Sequence, residues 1–443
     1  MLRCARINSF KINGMKNMKE TMGITNDTDF AALLNLSGIK ITEAVIDSNG
    51  DFLIHAESTK QGTSCHGCGK EVNKPYGYDR IRKIRHLPIF GRKCFIIIRF
   101  PRYFCDDCNK TTTQNVPWCH RNRAHTTDFE KHMLLSLVNS TIEDVSVKQD
   151  IGADAIEGIL ARYIDGEVDW SDMKELEIIG IDEISLKKGH QDFVVIVTAY
   201  TADGIRILAV LKNKEKETVK TFFSSIPKKL RKTVRFVCTD MYDGFVNAAK
   251  AVFGNRVNIV IDRFHVAMLY RENFEGIRKR EMKRLKKELP DHEYKKLKNV
   301  MWILRRKVTD LTTKEIDVMK LLFQHSPLLK MAYDFRNELT AIFDAELSKP
   351  QAKRKLKSWI KTVRRKGLTC FDGFIKTLEK RMNDISNYFI NRGTSGFVEG
   401  LNNKVKVIKR RCYGILNVEN LFRRIHLDLA GYGLFSQQNQ TVA

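Results

Sequence analysis

The sequence predicts a multidomain chain of mixed class: a small β domain, an α/β core on a mixed sheet with helices packed against it, and a long helical segment. Three observations carry the prediction. Two CxxC pairs lie in an alternating, strand-like stretch near the N-terminus, strand and helix patterns alternate from Glu175 to His265, and residues 267–435 follow a helical period with little Pro or Gly. A length of 443 residues suits roughly two to four domains at about 100–200 residues each.

Composition narrows the function. The chain carries 77 Lys and Arg against 52 Asp and Glu, a formal charge of +25, and 43% of its residues are hydrophobic, too many for a disordered polycation. No stretch approaches the roughly 18 consecutive apolar residues of a membrane span, and the most apolar run, Phe193–Ala199, reads as a buried strand. The first thirty residues lack an apolar signal core, so the expectation is a soluble intracellular protein. Met15, Met18 and Met22 offer alternative starts, and residues 1–38 read as an extension without predicted structure. A globular chain this basic calls for a polyanionic partner, because each Lys or Arg that neutralises a phosphate releases a condensed counterion.

Residues 39–115 are predicted as a β domain. IKITEAVIDSNGDFLIHAES alternates, and FGRKCFIIIRFPRYF alternates or runs apolar between Cys65/Cys68 (CHGC) and Cys105/Cys108 (CDDC). Each pair sits among Gly, Asn or Lys, as at hairpin tips, so four thiolates can converge on one tetrahedral structural Zn²⁺. A reducing compartment makes disulfides the weaker reading. Cys94, Cys119 and His120 read as core or loop residues, and Cys4, Cys238, Cys370 and Cys412 as packing residues.

Residues 116–172 are predicted as helices with a helix-turn-helix rhythm. Phe129, Met133, Leu134 and Leu137 share a face, Thr141 with Asp144 resembles a capping box, and a turn at Gly152 precedes a helix through Ile156, Ile159 and Leu160. That last helix carries Asp154 and Glu157 with Arg162 as its base, poor chemistry for a major-groove reader, so a plain helical linker stays open.

In residues 173–266, LEIIGIDEISLKKG, DFVVIVTAY, RILAVLK, VRFVCTDM and VNIVIDRFHV read as strands, with ETVKTFFSSI and YDGFVNAAKAVF as helices. Asp182, Asp240 and Asp262 are expected at strand ends, where carboxylates collect at the rim of a sheet and share divalent cations. Residues 267–390 hold 30 Lys and Arg against 16 Asp and Glu, a net of +14, with Trp302 and Trp359 read as helix core and the basic faces as phosphate contacts. In residues 391–443, TSGFVEGLNNKVKVIKRRCYG reads as a helix with Thr394 or Ser395 as N-cap and Gly414 as C-cap. Glu399, Asn402, Asn403, Lys406 and Arg410 then fall on one face.

GIDEISLKKGH, CTDMYDGF, VIDRFHV and SGFVEGLNNKVKVIKRRCYG, in this order after a CxxC…CxxC domain, resemble the ISL-three family of bacterial insertion-sequence transposases. The resemblance spans about Ile39 to Gly433. It implies an RNase H-like catalytic core of the DDE type, interrupted by the helical segment 267–390. It implies Asp182, Asp240 and Glu399 as the catalytic acids, holding two Mg²⁺ or Mn²⁺ ions with Asp182 shared between them. Asp262, His265 and Asn403 would support the site. Lys406, Lys409, Arg410 and Arg411, with Lys404 before them, would track DNA phosphates. The implied partners are the element's terminal inverted repeats and target DNA, read by the zinc and helix-turn-helix segments, with a homo-oligomer on the DNA. No membrane and no small-molecule cofactor are implied, and the location would be the bacterial cytoplasm and nucleoid.

The implied reaction is hydrolysis that frees a 3′-OH, then attack of that 3′-OH on target DNA, the two ions offsetting the charge that grows at phosphorus. Glu183 adjoins Asp182 and Asp243 lies close to Asp240, and because successive strand residues point to opposite faces only one of each pair should reach a metal. Two other readings remain: a transposase-derived DNA-binding regulator that has lost its chemistry, and a metal-dependent nuclease that cuts without joining.

Overall fold

The computed structural model describes residues 27–187, 191–201, 204–411 and 417–436, with backbone alone at 27–29, 187, 191–192, 393–399 and 401–402. The chain forms two compact units, one reaching to Leu160 and taking in the residues from Gly431 on, the other Ala161–Ala430.

In the first unit a short helix, α1 (Asp27–Leu33), leads into β1 (Ile39–Ile46), β2 (Phe52–Ser58), β3 (Thr63–Ser64), β4 (Glu71–Val72), β5 (Lys74–Tyr78), β6 (Arg82–Ile89), β7 (Arg92–Ile98), β8 (Pro101–Cys105) and β9 (Lys110–Thr113). A four-stranded sheet runs β1-β2-β7-β6, with β2 and β7 parallel, and a three-stranded antiparallel sheet runs β5-β8-β9. Alternation decides the buried face: Ile54, Ile84, Cys94 and Ile96 close a core with Phe100 and Trp118. Ala31 and Leu36 join that core, so the segment read as structureless up to residue 38 carries an ordered helix from Asp27, held by apolar burial against β1. Cys94 and Cys119 are core residues as read from sequence, and burial pushes the Cys94 thiol up to about 12.

Three helices follow: α2 (Thr127–Leu137), α3 (Ile142–Gln149) and α4 (Ala153–Tyr163). Thr126 and Thr141 cap the first two, their hydroxyls accepting from the Phe129 and Asp144 N–H groups. Asp150 ends α3 in the left-handed conformation at φ 49°.

The second unit is built on β10 (Ile178–Lys187), β11 (Gln191–Thr201), β12 (Gly204–Leu211), then α5 (Lys216–Ser225), β13 (Phe236–Thr239), α6 (Asp243–Phe253) and β14 (Asn258–Ile261). The sheet order is β12-β11-β10-β13-β14; the first three strands are antiparallel neighbours, and β13 and β14 run parallel to β10. The helices α7 (Arg263–Glu288), α8 (Val300–Arg305), α9 (Thr313–His325), α10 (Pro327–Asp344), α11 (Lys349–Arg365) and α12 (Asp372–Lys380) come next, followed by α13 (Gly393–Arg411) and α14 (Val418–Phe435). One hydrophobic core runs from Leu176 in the sheet region to Phe389, taking in Tyr270, Trp359, Phe371 and Phe374. Val405 and Ile408 of α13 pack with Ile184, Val194, Ile196, Leu421 and Phe422 in a second cluster.

Four expectations need correction. Strand β10 continues to Lys187, so Asp182 is the fifth of its ten residues and not its last. The stretch VNIVIDRFHV is a strand only to Ile261; Asp262 then caps α7, because an Asp whose carboxylate accepts the Phe264 N–H, at 2.9 Å, favours helix initiation over strand continuation. Trp302 is 59% exposed: Val300, Ile303 and Leu304 face the core, and the indole lies on the opposite side of α8 beneath the Arg305 guanidinium. Helix α13 begins at Gly393, which places Thr394 and Ser395 inside its first turn. Gly414, Cys4 and Cys412 lie outside the described residues.

Candidate active site and metal centre

Strand register brings three of the sequence-predicted acids to one level. Gly180 pairs with Cys238 across β10 and β13, so continuing by two residues sets Asp182 beside Asp240. Thr239 pairs with Ile261 across β13 and β14, and one further step sets Asp240 beside Asp262; the Asp262 N–H still donates to the Thr239 carbonyl at 3.0 Å. Parallel strands therefore deliver the acids in a row at their carboxyl ends, where β13 and β14 stop and β10 runs on.

The three carboxylates are held differently. Asp182 is 8% exposed. Burial holds its carboxyl above the ordinary carboxylate range and the Asp240 charge pushes the same way, while the Glu183 backbone N–H and the charges of His265 and Lys406 oppose them. Asp240 is half-buried and accepts the Tyr242 N–H at 2.9 Å. Asp262 is buried and serves α7 as its cap, which fixes the first turn carrying His265.

Neighbouring acids are engaged elsewhere. Glu183 pairs with Lys214 at 3.1 Å. Asp243 is bound by Lys380 at 3.0 Å and by Arg381, and the Lys380 hydrogen bond with the nearby cations holds its carboxyl below the ordinary range. Arg381 also donates to the Met241 carbonyl at 2.9 Å, tying the segment after α12 to the loop that follows Asp240. The Tyr242 ring lies over Gly244, where any Cβ would collide with it, which explains a glycine at this point of the CTDMYDGF motif. Beside Asp240 and His265 opens a pocket of about 450 Å³, walled by Tyr242, Met268, Leu269, Glu272 and Arg381 among others. Its walls come from three separate helices and one loop, so no local sequence pattern marks it.

Helix α13 packs against β10, β13 and β14. Of the residues read from sequence on this helix, Asn403, Lys406 and Arg410 are exposed and Lys409 and Arg411 half-buried. Lys406 is the member whose charge reaches Asp182. Lys404 departs from the expected phosphate row, since its ammonium donates to the Asp428 carbonyl of α14 at 2.7 Å. The side chains of Glu399 and Asn402 lie outside the described residues.

The first unit holds a second candidate centre. The sulfurs of Cys65, Cys68, Cys105 and Cys108 all lie within 4.8 Å of one another, as one tetrahedral ion requires, and Cys68 and Cys105 are 3.7 Å apart. Gly67 lets the first turn close: a Cβ there would sit 3.0 Å from the Cys108 sulfur. The Cys68 and Gly67 N–H groups lower the Cys65 thiol to about 6, whereas its hydrogen bond with Cys68, then burial and the remaining thiols, push Cys108 up to about 12. Four thiols this close resist joint ionisation, and a divalent cation removes the conflict. The donor set fits a structural Zn²⁺, and it is the only such cluster of three or more ligands among the described residues.

These features agree with sequence relationships. The model of the ISL3 transposase family matches residues 179–425, and one described as the zinc-finger of transposase IS204/IS1001/IS1096/IS1165 matches residues 61–108. The chain therefore belongs to the ISL3 transposase family, whose members are DNA-processing enzymes, and it carries that family's zinc ribbon. It is similar to the transposase for insertion sequence element IS1001 of Bordetella parapertussis, 24% identical over 89% of this chain and 95% of the relative. A transposase for insertion sequence element IS1557 of Mycobacterium tuberculosis is 22% identical over 82% of this chain and 86% of its own length. No helix among the described residues is long and apolar enough to cross a membrane.

Proposed function

We propose that the chain cuts and joins DNA at the ends of an insertion sequence, with an RNase H-like core of the DDE type in which Asp182, Asp240 and Glu399 are the catalytic acids. One observation carries the reading above the others. Asp182 and Asp240, from strands far apart in sequence, stand side by side within electrostatic reach of each other and of Lys406 on the helix that also bears Glu399. The sheet order β12-β11-β10-β13-β14, an antiparallel meander followed by two strands parallel to the first, supports an RNase H-like core.

A buried carboxylate beside a second one is unstable as a dianion and offers hard oxygen donors, the chemistry that suits Mg²⁺ or Mn²⁺. Asp182, Asp240 and Glu399 would hold such ions, which would supply the positive charge that polarises the phosphate and favours both the attacking and the leaving oxygen. Glu399, two helical turns before Lys406, completes the donor set in this reading. His265, in the first turn fixed by the Asp262 cap, brings an imidazole within electrostatic reach of Asp182. Lys406 and Arg410 face solvent and hold the flanking phosphates, and the ribbon with α2–α4 binds the terminal repeats.

Cleavage of labelled terminal-repeat DNA with Mg²⁺ tests this. Wild type should nick at the element's end, and Asp182→Asn, Asp240→Asn and Glu399→Gln should each lower the rate by about 10³-fold or more. Equal activity in wild type and Asp182→Asn would sink the assignment. A pre-cut end with a free 3′-OH distinguishes a transposase, which joins it to target DNA, from a nuclease, which does not.

A further inference from the structure

We infer that the tip of the β6–β7 hairpin is a wedge: Phe90 enters a base step of duplex DNA from the minor groove and bends it. The inference deepens the proposed DNA-processing function and rests on it. Ile89 pairs with Arg92 across the hairpin, so Phe90 and Gly91 are the two residues of the turn, at φ 51° and 75°. Positive φ at both positions is what a type I′ turn requires, and Asn-Gly is the pair that suits it.

The chain respects that preference elsewhere. Among the described residues seven positions other than glycine have positive φ: six are Asn or Asp, whose short side chains tolerate the left-handed region, and the seventh is Phe90. The fold gives its ring nothing in return, since Phe90 is 81% exposed, more than any other large hydrophobic side chain among the described residues. A single exposed apolar residue is ordinary, but one held in a strained backbone conformation and packed against so little is not. Strain that no internal contact offsets points to a contact outside the molecule.

Charge and side-chain chemistry assign that contact. Residues 82–98, the two strands and their turn, hold Arg82, Lys83, Arg85, Arg92 and Lys93 and no Asp or Glu. Of these five, Lys93 alone forms an ion pair among the described residues, with Asp150, while Arg82, Arg85 and Arg92 donate to the Arg123, Gln149 and Gly50 carbonyls. Arg92, two residues from the ring, is therefore oriented by a neutral oxygen at 3.0 Å and keeps its charge. In the β1–β2 turn that it touches, the Asp47 carboxylate accepts the Asn49 and Asp51 N–H groups at 2.9 Å. A cationic hairpin fits a polyanion better than a second copy of a chain whose own charge is +25. Pro88, Ile89, Phe90 and Gly91 offer no hydrogen-bonding side chain, so the tip cannot read base edges. An apolar ring beside an arginine suits the other mode of contact, in which a residue parts two base pairs from the minor groove and the bent backbone closes on the protein.

Energy transfer between dyes at the two ends of a terminal-repeat duplex reads the bend in its complex with the full chain, and thermal melting reads the strain. Wild type at saturation should raise the transfer. Phe90→Asn suits the turn and removes the wedge, so the zinc-bearing unit should melt a few degrees higher while most of the rise in transfer is lost and binding at fixed salt weakens about tenfold. Phe90→Leu keeps an apolar wedge and should bend the duplex nearly as wild type does. The inference is overturned if wild type binds the duplex without bending it, or if Phe90→Asn bends it as wild type does. It is overturned equally if Phe90→Asn melts lower than wild type, since the ring would then belong to the fold, or lowers the mass of the DNA-free protein in light scattering, since a second copy would then cover the ring. Asp182→Asn should bend the duplex as wild type does, so failure of the catalytic assignment and failure of the wedge give different results.

Discussion

The ribbon and the carboxylate row bring their chemical groups together by opposite routes. In the ribbon each pair of cysteines comes from one tight turn, two intervening residues apart, and two such turns complete the site. In the core the row forms only after β10, β13 and β14 have paired in register, because Asp182, Asp240 and Asp262 are separated by 58 and 22 residues. A site built from turns is fixed by local sequence and by the metal. A site built from strand register is fixed by the hydrophobic core and exists whether or not an ion is bound. The two should therefore respond very differently when one of these side chains is replaced.

The largest effect is predicted for the ribbon. Structural zinc contributes on the order of 10 kcal/mol to such small folds, more than their own core supplies. Cys65→Ser, or a chelator, should release the zinc and unfold the ribbon, abolishing specific binding of terminal-repeat DNA. Far-UV circular dichroism and a two-step melt should show the β10–β14 sheet still folded. Retained specific binding by Cys65→Ser would break the comparison, since recognition would then not depend on the ribbon.

The carboxylate row should behave in the reverse way. Asp182→Asn removes a buried charge and leaves a neutral isostere, so activity disappears while the metal-free protein melts no lower than wild type and is expected to melt higher. Added Mg²⁺ should raise the wild-type melting temperature and leave that of Asp182→Asn unchanged. A metal-free variant that melts lower than wild type would mean that Asp182 is a structural rather than a strained carboxylate.

This contrast also explains what the sequence made legible. Cys65, Cys68, Cys105 and Cys108 could be grouped from spacing alone, and Asp240 could be placed at a strand end because β13 is short and flanked by a turn. The apolar pattern puts Asp182 at the end of its strand because it does not reveal that β13 and β14 stop while β10 continues. In the stretch ending DRFHV a strand-like period runs straight into α7, and only the hydrogen bond made by Asp262 marks the change. Trp302 and Lys404 depart from expectation for a common reason: helical periodicity gives neighbours along one helix, but which face meets another helix is a tertiary fact.

A medium effect is predicted where the loop after Asp240 is tied down. Arg381 is 6% exposed and binds Asp243, Asp384 and the Met241 carbonyl. Arg381→Met should destabilise the second unit by about 2–3 kcal/mol, read as a lower urea midpoint, because the half-buried Met241 carbonyl and the buried Asp384 lose a charged donor. The ion pair also sets a pH dependence. The Asp243 carboxyl lies below its ordinary value, so its contribution is complete above the unfolded-state pKa and is lost as pH falls through the lowered one. Asp243→Asn should therefore remove part of the acid-induced loss of stability and leave behaviour at neutral pH little changed in slope.

The smallest effect sharpens the comparison most, because it concerns two adjacent residues of the same type of charge. Glu183 follows Asp182 in β10, so pleating sends its side chain to the other face, where Lys214 pairs with it at 3.1 Å. The lysine is largely solvated, and a pair of this kind contributes roughly 0–1 kcal/mol. Glu183→Gln should thus shift the melting temperature by a few degrees at most and leave metal-dependent cleavage within about threefold of wild type, against the loss of about 10³-fold or more for Asp182→Asn. A Glu183→Gln protein as inactive as Asp182→Asn would show that strand parity does not select the metal ligand, and the assignment of the row by register would fall with it.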